Sequence, residues 1–366
     1  MASLNIGMYV DSENCTYHLN NLSNYQYDEW AMYTDLAHFL NSGHPKNIAI
    51  LHWPYPYNPA FADKVNQLYD RCDKICIIIT ELHQVSMEFI QQFDREKISY
   101  FLTGVMSNPP AHAKVYEYYD WFETSRFFYK EYLPEILTRI HHKRTKPRYF
   151  DILLGRKKLH RDRIHSYVKS NLDGDSYVMR YFNTSTETKI ADDYEVWISE
   201  SQGLKIDKPL EWTVDRVSYF GHNMSVSQVI PIGVYNKTAY SVIAETNWAS
   251  YYRFFTEKTA KPIIARRLFI MIAGQGYLQT LRDIGFKTFD GIIDESYDTI
   301  TDDLHRWEAA GKQMKWLCEQ DQHEILEKIQ PIVDHNFNVM MSRDWYGEFI
   351  AKLESEISSI VQQTQN

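Results

Sequence analysis

Two series of short apolar runs, each alternating with amphipathic segments, constrain the fold of this chain more than any other feature. Runs rich in β-branched residues predict strands in the first half at residues 5–10, 47–53, 74–80 and 98–103. The same pattern predicts strands in the second half at residues 149–154, 176–182, 240–244 and 268–272. Because strands that alternate with helices form parallel sheets, the sequence predicts an α/β protein with two Rossmann-like domains.

Helical periodicity predicts the segments that connect these strands and close the chain. The predicted helices are residues 27–40, 61–69, 87–93, 116–140, 156–170, 278–284, 300–330 and 345–361. Pro134 is expected to break the long segment 116–140, because proline cannot donate the backbone hydrogen bond of a helix interior.

A basic segment that ends on proline, residues 141–147, marks the expected boundary between two domains. We therefore predict a first domain over residues 1–145, a second over 146–330, and C-terminal helices over 331–366, which are expected to pack back on the first domain as in proteins with two Rossmann-like domains that they resemble. Residues 183–212 are polar and irregular, with Trp197 and Trp212 as expected anchors. The basic segment has two interpretations, a solvated linker or a contact to phosphate or nucleic acid.

Composition excludes several classes of protein. A hydrophobic content of 44% with 24% charged residues indicates a globular chain, and a net charge of −9 argues against tight nonspecific DNA binding. No apolar run reaches the ~18–20 residues of a membrane-spanning helix, and the N-terminus lacks the pattern of a signal peptide. We therefore expect a cytoplasmic protein. Four cysteines lack the spacing of a zinc site and are expected to be buried free thiols: Cys15, Cys72, Cys76 and Cys318.

The stretch 239–289 carries the clearest chemical pattern. Its first strand ends at Glu245, and a later helix is expected to begin at Thr256, with Thr256 as N-cap and Glu257 in the first turn. A helix N-terminus with Lys258 beside it attracts phosphate, and a carboxylate there can accept hydrogen bonds from ribose hydroxyls. Ligands of open α/β sheets bind at the carboxyl ends of strands, so the pattern indicates a nucleotide diphosphate site. A capped helix with solvated lysines is the alternative.

A second anion-binding pattern follows the strand at residues 149–154. Gly155 ends that strand, and Arg156 and Arg161 belong to the basic segment that opens the next helix. A guanidinium can bind two phosphate oxygens at once, so these arginines are the expected diphosphate ligands. A charged helix face is the alternative, because one glycine is not a dinucleotide fingerprint. Asp-Gly-Asp at residues 173–175 matches a metal motif, but we favour ordinary turn chemistry there.

Glu245, followed by Phe-Thr-Glu-Lys at residues 255–258 and then by an apolar strand and glycine, resembles the donor-binding signature of α-1,3-fucosyltransferases. The wider pattern is closer to glycosyltransferases of tailed bacteriophages: Thr-Glu-Lys-Thr-x-Lys-Pro, a glycine pair and Leu-Arg-x-x-Gly-Phe-x-Thr-Phe. The Gly-Arg-x-x-x-His-Arg pattern that starts at Gly155 resembles the same phage group. The resemblance covers residues 147–310.

The resemblance implies a GT-B fold, in which two Rossmann-like domains face a cleft and the second binds a nucleotide sugar. The implied donor-binding residues are Gly155, Arg156, His160, Arg161, Glu245, Thr246, Phe255, Thr256, Glu257 and Lys258. We expect sugar transfer without a metal ion, with the nucleotide sugar as substrate and no separate cofactor. Ala-Glu-Thr at residues 244–246 replaces the Phe-Glu-Asn of the fucosyltransferases, so the identity of the sugar does not follow.

Transfer of a sugar to a hydroxyl needs a general base, which enzymes of this fold usually supply from the first domain. Asp11 and Glu81, which each follow a predicted first-domain strand, are the expected bases, ahead of Glu13, His52 and His83. The specific acceptor hypothesis is a hydroxymethylated base in phage DNA, with glycans or lipid-linked acceptors as alternatives. A rival interpretation is a non-catalytic virion or binding protein that kept a degenerate pair of Rossmann-like domains.

Overall fold

The computed structural model describes residues 6–13, 15, 18, 30–54, 57–181, 204–205 and 216–362. The chain divides into two compact units. The first unit combines residues up to Asp120 with residues from Asp344 onward, and the second unit runs from Trp121 to Arg343. None of the helices in the described ranges is long and apolar enough to cross a membrane.

The structure contains fifteen strands within these ranges, and a helix follows most of the strands in the parallel sheets. The strands are β1 (Ile6–Val10), β2 (Trp30–Tyr33), β3 (Lys46–His52), β4 (Lys74–Ile79), β5 (Ile98–Thr103), β6 (Val105–Met106), β7 (Lys114–Tyr118), β8 (Arg148–Leu154), β9 (Tyr177–Tyr181), β10 (Leu204–Lys205), β11 (Arg216–Tyr219), β12 (His222–Ser225), β13 (Thr238–Ala244), β14 (Tyr252–Arg253) and β15 (Phe269–Ile272). The α-helices are α1 (Leu36–Leu40), α2 (Ala60–Tyr69), α3 (Gln84–Gln92), α4 (Asp120–Phe127), α5 (Pro134–Leu137), α6 (Leu159–Asn171), α7 (Ile232–Lys237), α8 (Glu257–Ile264), α9 (Tyr277–Asp283), α10 (Asp303–Cys318), α11 (Gln322–Ser342) and α12 (Trp345–Gln362).

The first unit is built on a six-stranded parallel sheet with the order β2-β1-β3-β4-β5-β7. Every residue of β1, β4 and β5 is buried, because both faces of a parallel sheet are covered. The last helix, α12, supplies part of that cover through Phe349, Leu353 and Ile357, which pack in one cluster with residues of β1, β3 and β5. Parallel pairing confirms the α/β class predicted from the alternating pattern.

A buried ion cluster joins α12 to the same sheet. Glu356, which is 2% exposed, accepts hydrogen bonds from Ser99 (2.7 Å), Lys114 (2.8 Å) and Tyr116 (2.5 Å), and pairs with Lys74. Burial raises the pKa of this carboxyl, but its donors outweigh burial and hold the pKa at about 2. The cluster therefore fixes the C-terminal helix on the sheet by charge as well as by apolar packing.

The second unit is built on a four-stranded parallel sheet with the order β15-β13-β8-β9 and carries an antiparallel sheet, β10-β11-β12. Arg267, 3% exposed, lies just before β15 and donates to Asp151 (2.7 Å), Ser241 (2.8 Å) and the carbonyl oxygen of Thr238 (2.8 Å). A buried guanidinium needs such partners, and together they connect β8, β13 and the start of β15.

Three predicted helices were wrong in part. Residues 30–33 form β2, which pairs with β1, and among the described residues of segment 27–40 the helix is Leu36–Leu40, after the Asp35 N-cap. The start of segment 116–140 forms the edge strand β7, and the rest breaks into α4, a π-helical turn and α5 at Pro134. The predicted helix 300–330 is two helices, because Asp321 caps a new one. Trp197 and Trp212 lie outside the described residues.

The expected domain boundary at residue 145 differs from the division of the structure, in which residues 121–145 belong to the second unit. Tyr129 explains the difference, because its buried hydroxyl donates to Gln228 O (2.7 Å) and accepts from Ile230 N (2.6 Å). The basic segment is not a free linker, since Asn236 binds the backbone of residues 139 and 141. Helix α11 also stays in the second unit, so α12 alone returns to the first.

Two smaller predictions can be compared directly with the structure. Asp173 accepts a hydrogen bond from Asp175 N at 3.1 Å within a short 3-10 turn, which is the turn chemistry that we favoured. All four cysteines are free, and three of them are buried, whereas Cys318 is half-buried. No three metal-ligating side chains cluster among the residues that the structure describes.

We predict that Glu356→Gln lowers the free energy of unfolding by about 3 kcal/mol at pH 7, because it leaves Lys74 buried without a carboxylate. The carboxyl pKa is depressed from an ordinary value near 4.3 to about 2. The stabilisation is therefore complete above about pH 5 and is lost as the pH falls toward 2. Urea unfolding between pH 2 and 7 measures the difference. The exposed Glu96→Gln serves as control, and an equal effect of both substitutions would contradict the prediction.

Candidate functional site

The candidate site lies at the carboxyl edge of the second unit's parallel sheet. Strand β13 runs between β8 and β15, so the residues that follow these three strands are neighbours. Gly155 follows β8, Glu245 follows β13, and a glycine turn follows β15. The edge therefore brings together the two sequence patterns that were expected to bind a diphosphate.

The carboxylate of Glu245 is the centre of this edge and is completely buried. Its two oxygens accept four hydrogen bonds, from Thr246 N (3.0 Å), Thr256 N (3.0 Å), Thr256 Oγ1 (2.7 Å) and Thr259 Oγ1 (2.6 Å). The side chain thus ties the end of β13 to the first turn of α8. Glu245 and Thr256, which were both expected among the donor-binding residues, are buried and hydrogen-bonded to each other.

Helix α8 begins as the sequence predicts. Thr256 is the N-cap, and its hydroxyl accepts from Lys258 N at 3.3 Å. Glu257 occupies the first turn, is 3% exposed, and accepts from Lys258 Nζ at 2.7 Å. Burial opposes ionisation of Glu257, but Lys258 and Lys261 outweigh it and lower the pKa of this carboxyl. The helix start therefore holds a carboxylate and two ammonium groups in one cluster.

Two lysines from different helix starts converge on Thr246. Lys258 Nζ donates to Thr246 Oγ1 at 3.2 Å, and Lys158, the residue before α6, donates from Nζ to Thr246 O. Both lysines are only partly buried. Sequence analysis singled out Lys258 but missed Lys158. Its position at the N-cap of a helix that follows a strand and a glycine could have identified it as a candidate.

Arg161 and His160 support the loop from below. Arg161, 3% exposed, donates to the carbonyl oxygens of Arg156 (2.8 Å), Ala244 (3.3 Å) and Glu245 (3.3 Å). His160 contacts the Glu245 carbonyl oxygen at 2.8 Å. Burial lowers the pKa of Arg161 to about 10, and burial with the nearby Arg161 charge lowers the pKa of His160 well below its ordinary value. Arg161, which was expected to bind the diphosphate, therefore directs donors of its guanidinium to backbone carbonyl oxygens in this structure.

The other expected donor residues divide into exposed and buried ones. Arg156 is exposed, and it lies in the loop before α6, which begins at Leu159 and not at residue 156. Phe255 is 2% exposed and packs against Tyr277 (5.3 Å between ring centroids), so it belongs to the core. The start of α9, near the glycine turn, is closed to anions because the Asp298 carboxylate accepts from Leu278 N and Gln279 N.

A groove of about 590 Å³ runs from this edge along the loop after β13. We call it the Trp248 groove, and its lining includes Lys158, Leu159, Thr246, Trp248, Tyr251 and Asp303. A second depression shares Leu159, Trp248 and Asp303 with it and continues over Arg163, Asp302 and Leu304. Lys158 and Thr246 line the groove, and Lys258 contacts Thr246 from outside this lining.

Both expected general bases lie at the carboxyl edge of the first unit's sheet, where β3 separates their strands. Asp11 accepts from His52 N at 2.9 Å and lies 3.6 Å from Lys64 Nζ. Glu81 accepts from His83 Nε2 at 3.0 Å, and both side chains of this pair are about one-third exposed. Of the two, Glu81 has the more accessible carboxylate, since the Asp11 side chain is 6% exposed.

In comparisons with known proteins, no family model, no curated protein and no solved structure matches this chain. The geometry of the described residues and the motifs quoted above are therefore the observations from which function is inferred.

We predict that Glu245→Gln destabilises the second unit by about 2 kcal/mol, because an amide donor would face one of the backbone N–H groups that now donate to the carboxylate. Urea unfolding followed by circular dichroism measures the change. Glu308→Gln removes a carboxylate that is 54% exposed and should change stability by less than about 0.5 kcal/mol. Unchanged stability of Glu245→Gln would show that the carboxylate does not organise this edge.

We also predict that Gly155→Ala lowers stability by about 1 kcal/mol. An added Cβ would lie 3.1 Å from Arg161 Nη1, and the guanidinium is held in place by three carbonyl oxygens. Gly174→Ala is the matched control, since no atom lies within 4 Å of its added Cβ. Thermal unfolding of the two variants should separate them, and equal melting temperatures would contradict the close packing of Arg161 against Gly155.

Proposed function

We propose that this protein is a glycosyltransferase of the GT-B type, which transfers a sugar from a nucleotide-sugar donor to a hydroxyl acceptor. The observation that carries the proposal is the convergence of Lys158 and Lys258 on Thr246, at the carboxyl edge of a parallel sheet. Two ammonium groups beside two helix starts suit a diphosphate, and open α/β sheets bind ligands at this edge. The resemblance in residues 147–310 points to the same chemistry.

In the proposed reaction, the bond between the anomeric carbon and the diphosphate breaks while a bond forms to the acceptor oxygen. Lys158 and Lys258 stabilise the negative charge that develops on the leaving diphosphate. Arg161 and Glu245 act as positioning residues, because they hold the loop that carries Thr246. A general base takes the proton of the acceptor hydroxyl, and the predicted candidates for this role are Glu81 and Asp11.

Thermal stabilisation by a panel of nucleotides and nucleotide sugars tests the proposal. A ligand at a hundred times its dissociation constant adds about 2.7 kcal/mol to stability, which the assay detects easily. We predict stabilisation by at least one nucleotide sugar, and at least a tenfold loss of affinity in Lys258→Ala and Lys158→Ala. Lys312→Ala, which removes a lysine that is 65% exposed on α10, is the control and should bind like the wild type.

Sugar transfer from the donor that binds is then measured. The first acceptor is duplex DNA that contains hydroxymethylated bases, followed by glycans and lipid-linked acceptors. Transfer should be lost in Glu81→Gln or Asp11→Asn while donor binding remains. A well-folded wild type that no compound of the panel stabilises would overturn the proposal and favour the non-catalytic alternative.

A further inference from the structure

The Trp248 groove has the size and the lining of a small-molecule site. Its volume of about 590 Å³ falls within the ~300–1,000 Å³ of typical ligand pockets. Aromatic and aliphatic side chains, among them Trp248, Tyr251 and Leu159, form much of the lining. Two of these are unusually exposed for large apolar side chains, Tyr251 at 40% and Leu159 at 45%. A planar apolar ligand would cover them.

The ring of Trp248 packs against two buried rings, those of Trp307 and His160. Its ring centroid lies 5.5 Å from that of Trp307 at an interplanar angle of 81°, and 6.2 Å from that of His160. Trp307 is 2% exposed and is anchored by a hydrogen bond from Nε1 to Ala273 O at 2.9 Å. An indole that is fixed by buried neighbours and lines a groove offers a stacking surface at little cost in side-chain entropy.

The groove is also polarised. Its lining includes Lys158 and Thr246, which also contacts Lys258, and it includes Thr301 and Asp303 at and just before the start of α10. Arg306 pairs with Oδ1 of Asp303, and the carboxylate remains 32% exposed. An ionised carboxylate accepts hydrogen bonds and donates none, so it favours N–H groups of a ligand and repels carbonyl oxygens.

We propose that the Trp248 groove binds the nucleobase of the nucleotide donor, and that it prefers bases with an exocyclic amino group over uracil. The proposal rests on the proposed function, because the paired lysines must hold the diphosphate for the base to lie in the groove. The base stacks on Trp248, and its amino group donates to Asp303. Uracil presents a carbonyl oxygen at the position where cytosine carries the amino group, so the same carboxylate disfavours it.

Binding of nucleoside diphosphates to the wild-type, 366-residue chain tests this preference without any substitution. CDP and UDP differ at the amino or oxo group of one ring, and ADP and IDP provide the same comparison for purines. We predict that the amino member of each pair binds about tenfold or more tightly by isothermal titration calorimetry. Equal binding within both pairs, or tighter binding of the oxo members, would overturn the role of Asp303.

Substitutions then test whether Asp303 causes the preference for bases with an amino group. Asp303→Asn should narrow the CDP to UDP ratio toward one, whereas Asp302→Asn removes the same charge one residue earlier, outside the Trp248 groove, and should leave the ratio unchanged. Asparagine can still cap α10 at residue 302, so that control should fold. A ratio that Asp303→Asn leaves at the wild-type value contradicts the proposal.

The stacking surface is tested at Trp248 with two replacements of different shape. Trp248→Phe keeps a planar ring and should retain most of the affinity, whereas Trp248→Leu fills space without stacking and should lose about tenfold. Equal affinity of both variants and wild type would overturn the stacking role. If nucleotides bind but none of these differences appears, the groove assignment alone fails. If no nucleotide binds at all, the proposed function fails with it.

Discussion

The buried carboxylate of Glu245 is the interaction on which the carboxyl edge of the second unit depends. A carboxylate removed from water is stable only when its oxygens receive hydrogen bonds, and four donors from Thr246, Thr256 and Thr259 supply them. Because these donors come from a strand end and a helix start, satisfying the charge also fixes where α8 begins. The position of Lys258, two residues into that helix start, follows from the same constraint.

The charged groups of this edge divide into a supporting layer and a surface layer. Arg161 donates to backbone carbonyl oxygens beneath the loop and is buried, whereas Lys158 and Lys258, from two helix starts, are partly exposed and contact Thr246. A planar guanidinium suits several fixed acceptors, and a flexible ammonium suits a ligand that arrives later. In the proposed reaction, the buried arginine therefore maintains the geometry and the lysines meet the diphosphate.

The first unit uses a buried charge in a comparable way. Glu356 gathers Lys74, Lys114, Ser99 and Tyr116 around one carboxylate, and so attaches the last helix to a sheet formed by the start of the chain. Helix α12 was expected to return to the first unit from sequence order and family resemblance. The partner of its buried carboxylate was not predictable, because the two lysines lie hundreds of residues earlier.

The sequence by itself determined the parallel α/β class, most strand positions and the N-cap of α8, because these follow from local patterns of apolar, β-branched and capping residues. Only the tertiary structure decided which of the expected donor-binding residues are covered. Arg161 and Phe255 match a ligand-binding motif in the sequence, yet both are buried by neighbours distant along the chain. Strand β2 exists because it pairs with β1, and local periodicity does not predict that pairing. The second unit begins at Trp121, ahead of the expected boundary, because Tyr129 binds the backbone of residues 228 and 230, which are distant in the sequence.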